Sequence, residues 1–172
     1  MSVGFIRDKL EIKFLILYIV SRVPEPISQA ELQELTMCDD GIDYFDFAEC
    51  LNDLVNTEHL RVEDECYCVT TKGLRNSEIC ESSLPYSVRI RTDKNLADYH
   101  KRLLRRNQVQ SRITERENGT YTVKLSLRDD LDSVMDLELM VATEDMAKTL
   151  ADRFKKNPEK IFTGVLSALY SE

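Results

Sequence analysis

The basic residues between positions 85 and 116 are the first candidates for chemistry in this sequence. The segment holds nine Lys and Arg residues against three Asp and Glu residues, a net charge of +6. Four of its cations recur at spacings of three and four residues, which places them on one stripe of a helix. This basic stripe consists of Lys101, Arg102, Arg105 and Arg106, with Lys94 nearby. Such a stripe suits phosphate groups, or the carboxylates of an acidic protein surface.

The rest of the chain has a different charge balance. Residues 1–84 contain seven Lys and Arg residues against 17 Asp and Glu residues, a net charge of −10, whereas residues 85–172 carry +2. The whole chain of 172 residues has a net charge of −8, which excludes a wholly basic nucleic-acid binder but leaves room for a local basic patch. Because opposite charges attract, we expect the basic stripe to dock on an acidic surface rather than to grip phosphate directly.

Apolar periodicity and capping residues predict the elements of the first half. Ser28-x-x-Glu31 is a capping box, Asp43 can cap the helix after it, and Pro24 to Pro26 end the first helix. The predicted elements are helices over residues 5–23, 28–37, 43–56 and 71–80, and strands over residues 60–62 and 66–70. A further turn is predicted at Cys38 to Ile42.

The order helix, helix, helix, hairpin resembles the winged helix-turn-helix domain. The stretch Tyr67-x-Val69-Thr70-x-x-Gly73 is similar to the far side of a wing running into a helix. The apolar ladder of the third helix also fits, and it consists of Phe47, Leu51 and Leu54, followed by Leu60 in the strand. An unrelated helical domain with a hairpin is the alternative.

Four stretches carry a resemblance over nearly the full length of the chain. They are "GFIRDKLEIKFLILYIVSRVPEP", "LTMCDDGIDYFDFAECLNDLVNTEHL", "SEICESSLPYSVR" and "ITERENGTYTVKLSL". Through them the chain resembles an uncharacterised bacterial family, a domain of unknown function with a winged-helix N-terminus. The resemblance implies the fold and a regulatory role in transcription, and it supplies no functional residues.

The third helix and the wing are acidic, which weakens the usual function of a winged helix. Of the outward helix positions, only Asn52 is a good partner for bases or phosphates. The others are Asp43, Asp46, Glu49 and Asp53, and the wing adds Glu63, Asp64 and Glu65. Acidic groups oppose binding to the polyanionic duplex. This acidic face therefore predicts contact with a basic protein partner as the alternative to DNA.

The second half reads as a small antiparallel sheet covered by helices. A boundary is drawn between Leu84 and Pro85, because the residue before proline is disfavoured in a helix. Asn118-Gly119 is a strong hairpin signal. The predicted elements are strands over residues 87–91, 112–117, 120–127 and 135–141, a helix over 93–108 capped by Thr92, and two C-terminal helices after Thr143 and Asn157-Pro158. We expect the apolar stripe of the last helix to pack in the core, and part of this stripe to be left for a homodimer contact.

No catalytic or metal-binding constellation is visible in the sequence. His59 and His100 are far apart, and the spacing of Cys66 and Cys68 does not match the usual zinc sites. The five glycines are isolated, which excludes a glycine-rich phosphate loop. We expect no cofactor and no enzyme activity. Without an export signal or a membrane span, we expect a cytoplasmic protein with reduced cysteines.

These observations together predict an α+β protein with two domains, residues 1–84 and 85–172. The N-terminal domain is a winged helix-turn-helix, and the C-terminal domain is a helix-covered antiparallel sheet. The predicted function is a dimeric transcriptional regulator, with a protein-interaction module as the alternative.

Overall fold

The computed structural model of the protein describes residue 6, residues 8–37 and residues 41–171. The helices in these ranges are α1 (Lys9–Val20), α2 (Gln29–Thr36), α3 (Tyr44–Asn56), α4 (Thr71–Cys80), α5 (Tyr86–Gln108), α6 (Glu144–Lys156) and α7 (Pro158–Tyr170), with a 3-10 turn at Glu81–Ser83. The strands are β1 (Ile27–Ser28), β2 (Leu60–Glu63), β3 (Cys66–Val69), β4 (Val109–Glu115), β5 (Tyr121–Arg128) and β6 (Ser133–Val141). The predicted α+β class is confirmed.

The chain packs as two compact units, unit 1 with residues 1–100 and unit 2 with residues 101–172. The division falls inside α5. The boundary predicted at Leu84 and Pro85 coincides instead with the junction between the 3-10 turn and α5. The assignment of residues 1–84 and 85–172 as separate domains stays a prediction.

Side-chain caps fix where the helices of unit 1 begin. Ser28 and Glu31 form the predicted capping box of α2, and the Asp43 carboxylate accepts from the Asp46 backbone N–H at 2.9 Å to cap α3. α1 is shorter than predicted, because it begins after the Asp8 cap and ends at Val20. Seven of the twelve α1 residues are buried, as expected for a helix that is apolar over most of its circumference. Residue 5 and the turn at residues 38–40 lie outside the described residues.

A three-stranded antiparallel sheet in the order β1-β3-β2 completes the local framework of unit 1. β1 contributes only two residues, and Ile27 pairs with Tyr67. β2 and β3 form the predicted hairpin, from Leu60 opposite Val69 to the turn at residues 64–65. Asp64 and Glu65 adopt positive φ angles of 47° and 62°, which residues other than glycine rarely adopt.

The junction between β3 and α4 explains the spacing of Thr70 and Gly73. The Thr70 hydroxyl accepts from the Gly73 N–H at 3.1 Å and donates to the Glu58 carbonyl at 2.7 Å. A Cβ atom on Gly73 would lie 2.1 Å from the His59 carbonyl oxygen, so only glycine fits there. The cap and the glycine together allow α4 to start directly against the beginning of β2.

The prediction for residues 87–92 was wrong. These residues are helical, and α5 begins at Tyr86 rather than at Asp93. Thr92 is completely buried and is a core position of the helix instead of its cap. The buried positions of α5 recur every three or four residues, which is the period of one helical face: Val88, Thr92, Leu96, Tyr99 and Leu103.

Polar contacts join α1 to the N-terminal part of α5 within unit 1. The hydroxyl of buried Tyr18 donates to the Asp93 carboxylate at 2.7 Å, and the Arg22 guanidinium carbon lies 3.5 Å from the Tyr18 ring centroid. Burial, followed by the hydrogen bond to Asp93, raises the pKa of Tyr18 to about 12. His100 forms a further hydrogen bond, 3.1 Å long, between its Nε2 and the Arg22 carbonyl.

Unit 2 contains the predicted antiparallel meander, in the order β4-β5-β6. Val123, Leu125 and Leu127 of β5 are buried on one face, whereas Lys124 and Arg128 are exposed on the other. Gly119, with a φ angle of 75°, supplies the left-handed conformation in the turn between β4 and β5. The sheet therefore has one covered and one open face.

The two C-terminal helices differ in how they are buried. α6 is capped by Thr143 as predicted, and Ala147, Ala151 and Phe154 are buried, with Ala147 and Phe154 packed in the core of the sheet. In α7, Pro158 at the start is buried, while the stripe formed by Ile161, Phe162 and Val165 packs against the same core without being fully covered. The outer part of the α7 stripe is exposed, since Leu169 is 76% exposed.

Candidate functional surfaces

Three acidic residues of α3 form ion pairs with lysines of α1, which the sequence analysis did not predict. The Lys9 ammonium lies 2.6 Å from a Glu49 carboxylate oxygen and 3.3 Å from one of Asp46. Lys13 lies 2.8 Å from the Asp53 carboxylate in the same way. These three carboxylates therefore face α1, because Lys9 and Lys13 are one helical turn apart there and meet positions 46, 49 and 53 along one flank of α3.

The ion pairs also change the titration of the two lysines. A hydrogen bond to Glu49 is the largest cause that raises the pKa of Lys9, and a hydrogen bond to Asp53 does the same for the pKa of Lys13. Each lysine thus stays charged to a higher pH than an isolated one. The two lysines of α1 thus offset part of the negative charge of the three carboxylates on this flank of α3.

The outer face of α3, opposite its core residues, carries Phe45, Glu49, Asn52 and Asn56. Each residue turns the helix by about 100°, so these positions lie opposite buried Phe47 and Leu54. Phe45 is 81% exposed, and its ring meets Tyr44 edge-on with centroids 5.9 Å apart. The predicted candidate Asn52 is exposed on this face. The sequence analysis missed Phe45, although its position opposite the apolar ladder is visible in the sequence.

The turn that joins β2 and β3, predicted as a wing, is tight and exposed. Glu63, Asp64 and Glu65 are all exposed, as is Asp43 at the start of α3. Arg61 lies 3.3 Å from the Glu63 carboxylate and offsets part of its charge. Asp64 and Glu65 at the tip form an exposed acidic pair. Of the predicted acidic face, they are the residues that point most clearly toward solvent.

The basic stripe lies at the C-terminal end of α5, in unit 2. Arg105 forms a two-pronged ion pair with Glu159 of α7, in which one guanidinium nitrogen bonds to each carboxylate oxygen; the second bond measures 2.9 Å. This pair raises the pKa of Arg105 and lowers the pKa of Glu159. Arg105 is thus committed to a contact within unit 2. Lys101, Arg102 and Arg106 are exposed in the same unit, and Lys94 is exposed in unit 1.

His59 takes part in the local structure of unit 1. His59 Nε2 lies 2.6 Å from the Asn76 amide nitrogen, and its Nδ1 lies 2.8 Å from the Thr57 hydroxyl. Burial, followed by the charge of Lys72, lowers the pKa of His59.

Among the residues that the structure describes, no group of three or more His, Cys, Asp or Glu is placed to hold a metal ion. No helix in these residues has both the length and the apolar character needed to cross a membrane.

A family model described as a domain of unknown function (DUF4364) matches residues 12–169. The chain belongs to this family. The match confirms the predicted membership of an uncharacterised family. It runs from α1 to α7 and therefore covers residues of both units. None of the curated proteins and none of the solved structures compared with the chain matches it.

Proposed function

We propose that unit 1 is a winged helix-turn-helix domain and that the protein regulates transcription by contacting DNA through the outer face of α3. The order of elements supports the domain assignment, because three helices precede a hairpin and β1 adds a short third strand to it. In such domains the second helix of the helix-turn-helix, here α3, enters the major groove.

The observation that carries the proposal is the exposed aromatic ring and amides on the outer face of α3. Lys9 pairs with Glu49 on this face and with Asp46 beside it, and Lys13 pairs with Asp53. The face therefore presents one aromatic ring, two amides and the paired carboxylate of Glu49. Asparagine forms paired hydrogen bonds with adenine, and phenylalanine packs against the thymine methyl group. Phe45 and Asn52 are therefore suited to base edges in a way that the acidic sequence did not suggest.

The basic stripe of unit 2 is a second candidate surface for phosphate contact in this proposal. Lys101 and Arg102 are exposed on the basic stripe, and Lys94 precedes them on the same helix. Arg105 contributes less than we expected from the sequence, because Glu159 already binds both prongs of its guanidinium. The tip of the wing, with Asp64 and Glu65, stays away from the backbone of the duplex.

Binding of the full-length protein to DNA fragments selected from a random duplex pool tests the proposal. We expect Phe45→Ala/Asn52→Ala to remove the preference for selected over random duplex. Lys101→Gln/Arg102→Gln should weaken binding to both, and the salt slope should fall by about one for each phosphate that the variant no longer binds. Arg105→Gln is the matched control on the same stripe, with little change. A selected pool that the Phe45→Ala/Asn52→Ala variant still distinguishes from random duplex would overturn the role of the outer face.

We propose further that the DNA-binding form is a homodimer. Helix-turn-helix proteins commonly read two half-sites through two-fold symmetry. The exposed apolar residues at the end of α7 supply a surface for a second copy, with Leu166 37%, Leu169 76% and Tyr170 84% exposed. Light scattering of wild type and Leu169→Glu/Tyr170→Glu tests this, with conversion to monomer as the expected result. Lys160→Glu, on the same helix, is the control.

The alternative is a protein-interaction module that does not bind DNA. Phe45 favours it, because an exposed aromatic ring is typical of the centre of a protein interface. The acidic surface left for a basic partner is then centred on Asp64 and Glu65. Failure of the selection to enrich any duplex, together with capture of a partner that Phe45→Ala no longer captures, would favour this alternative over transcriptional regulation.

A further inference from the structure

A cleft of about 540 Å³ on unit 2 gathers basic side chains from several elements. It is lined at the end of α5, along β4 and β5, and at the end of α6, with one residue from β6. The charged residues that line it within the described part of the chain are five cations and one carboxylate: Arg106, Arg112, Lys124, Arg128, Lys155 and Asp136. The strand register, and not spacing in the sequence, brings most of these residues together.

The open face of the sheet places two cations directly against each other. Arg112 of β4 is the cross-strand neighbour of Lys124 of β5. Like charges at directly opposite positions destabilise a sheet. Glu138 faces Lys124 from β6 on the other side, but Arg112 lies on the edge strand, and no ion pair joins it to a carboxylate in the described residues. The protein thus keeps an arrangement that costs stability when nothing is bound.

The Asp136 carboxylate of the cleft is held by hydroxyl groups rather than by its cations. One Asp136 oxygen accepts from the Ser126 hydroxyl at 2.6 Å, and the other accepts from the Ser133 hydroxyl at 2.6 Å. These hydrogen bonds, ahead of the nearby charges of Lys124 and Arg128, lower the pKa of Asp136. Asp136 therefore orients the hydroxyl of Ser126 at the cleft, while the excess of positive charge remains.

We propose that this cleft binds a small ligand that carries two or more phosphate groups. Arginine guanidinium groups match phosphate oxygens in pairs, and lysine adds a point charge. Among the described residues that line the cleft, Val109 is the only apolar one, so recognition is by charge and hydrogen bonds. Proteins that bind single-stranded nucleic acids stack bases on aromatic side chains, and the part of the lining that the structure describes has none. The convergence of Arg112 and Lys124 suits a compact polyphosphate.

Binding of tripolyphosphate to the full-length protein, followed by calorimetry and by thermal unfolding at constant ionic strength, tests the site. We expect tripolyphosphate to bind and to raise the unfolding temperature more than inorganic phosphate or sulfate does. Arg112→Gln should weaken tripolyphosphate binding about tenfold, as expected when one charge-assisted hydrogen bond is removed. The same variant should unfold about 1–3 °C higher than wild type without ligand, because it removes the like-charge pair.

These opposite effects separate a binding role from a folding defect. Lys160→Gln on α7 removes one exposed cation of unit 2 outside the cleft and should change neither property. Equal affinities of Arg112→Gln and wild type for tripolyphosphate would overturn the site, and so would an equal thermal shift with sodium chloride of the same ionic strength. Duplex DNA that displaces tripolyphosphate, and that Arg112→Gln no longer binds, would replace the small ligand with a nucleic acid. Phe45→Ala/Asn52→Ala should bind tripolyphosphate normally. The tripolyphosphate site is therefore tested independently of the DNA-binding role proposed for α3.

Discussion

Units 1 and 2 differ in how fully their charged groups are paired and their apolar groups are buried. In unit 1, α1 is buried over most of its surface, and lysines of α1 satisfy carboxylates of α3 at 2.6 to 3.3 Å. In unit 2, α7 is covered only in part, and the open sheet face keeps Arg112 opposite Lys124. A unit that satisfies its own groups has few left for ligands. As a proposal, we therefore assign a small contact surface to unit 1 and the larger capacity to bind ligands to unit 2.

The largest expected effect tests how tightly unit 1 is packed. Gly73→Ala places a Cβ atom against the His59 carbonyl oxygen, where backbone must move, and should destabilise the protein by about 3 kcal/mol. The matched change Gly164→Ala, in the exposed part of α7 with nothing within 4 Å, should stabilise it by about 0.5–1 kcal/mol. Denaturant titrations followed by circular dichroism measure both. Equal effects of the two substitutions would remove the contrast in packing.

The turns of the two hairpins provide a smaller effect. Unit 1 places Asp64 and Glu65 at positive φ, whereas unit 2 has Asn118-Gly119 at its turn. Asp64→Asn/Glu65→Gly should stabilise unit 1 by about 1 kcal/mol, because asparagine and glycine suit that backbone. Thermal unfolding measures it. Glu65→Gln removes the same charge but keeps the strained backbone, so a gain as large as that of the double substitution would show that charge, not conformation, was responsible.

The smallest expected effect is the coupling free energy of one ion pair in each unit. Double-mutant cycles should give about 0.5–1 kcal/mol for Lys13–Asp53 and a lower value, about 0.2–0.5 kcal/mol, for Arg105–Glu159, whose side chains are more exposed. Both couplings should fall with added salt. A larger coupling for Arg105–Glu159 would reverse the order, and would show that two-pronged geometry outweighs burial.

The pH dependence of the second pair has a defined direction. Because the pKa of Glu159 is lowered in the folded protein, its contribution is complete above the ordinary glutamate value of 4.5 and is lost as the pH falls through the lowered value. The coupling of Arg105 and Glu159 should therefore persist at pH 4.5 and disappear in stronger acid. Repeating the cycle at these pH values checks the assignment.

Local signals predicted most of the elements correctly. Ser28, Asp43 and Thr143 cap the helices that they were expected to cap, since a cap depends on residues only three positions apart. The start of α5 was predicted wrongly because residues 87–91 alternate like a strand over five positions. The helical period of its buried face becomes visible only when Val88 is read together with more distant positions such as Leu96.

The surfaces were harder to predict, because they depend on pairings between distant residues. The direction of Asp46, Glu49 and Asp53 is set by lysines about 40 positions earlier in the chain. The basic cleft depends on the register that joins Arg112 to Lys124, which is fixed by the Asn118-Gly119 turn and the buried face of β5. The charge of a segment was thus readable from the sequence, whereas its partners were not.

The hydrogen bond between Tyr18 and Asp93 has an optical consequence. The chain contains seven tyrosines and no tryptophan, so ionised tyrosine gives its own near-ultraviolet signal without an indole background. Tyrosine in solution has a pKa near 10, but the pKa of Tyr18 is about 12. The stability that depends on neutral Tyr18 is complete below pH 10 and is lost as the pH rises toward 12. A late step in an alkaline titration, removed by Tyr18→Phe, would therefore report directly whether α1 still holds the first turns of α5.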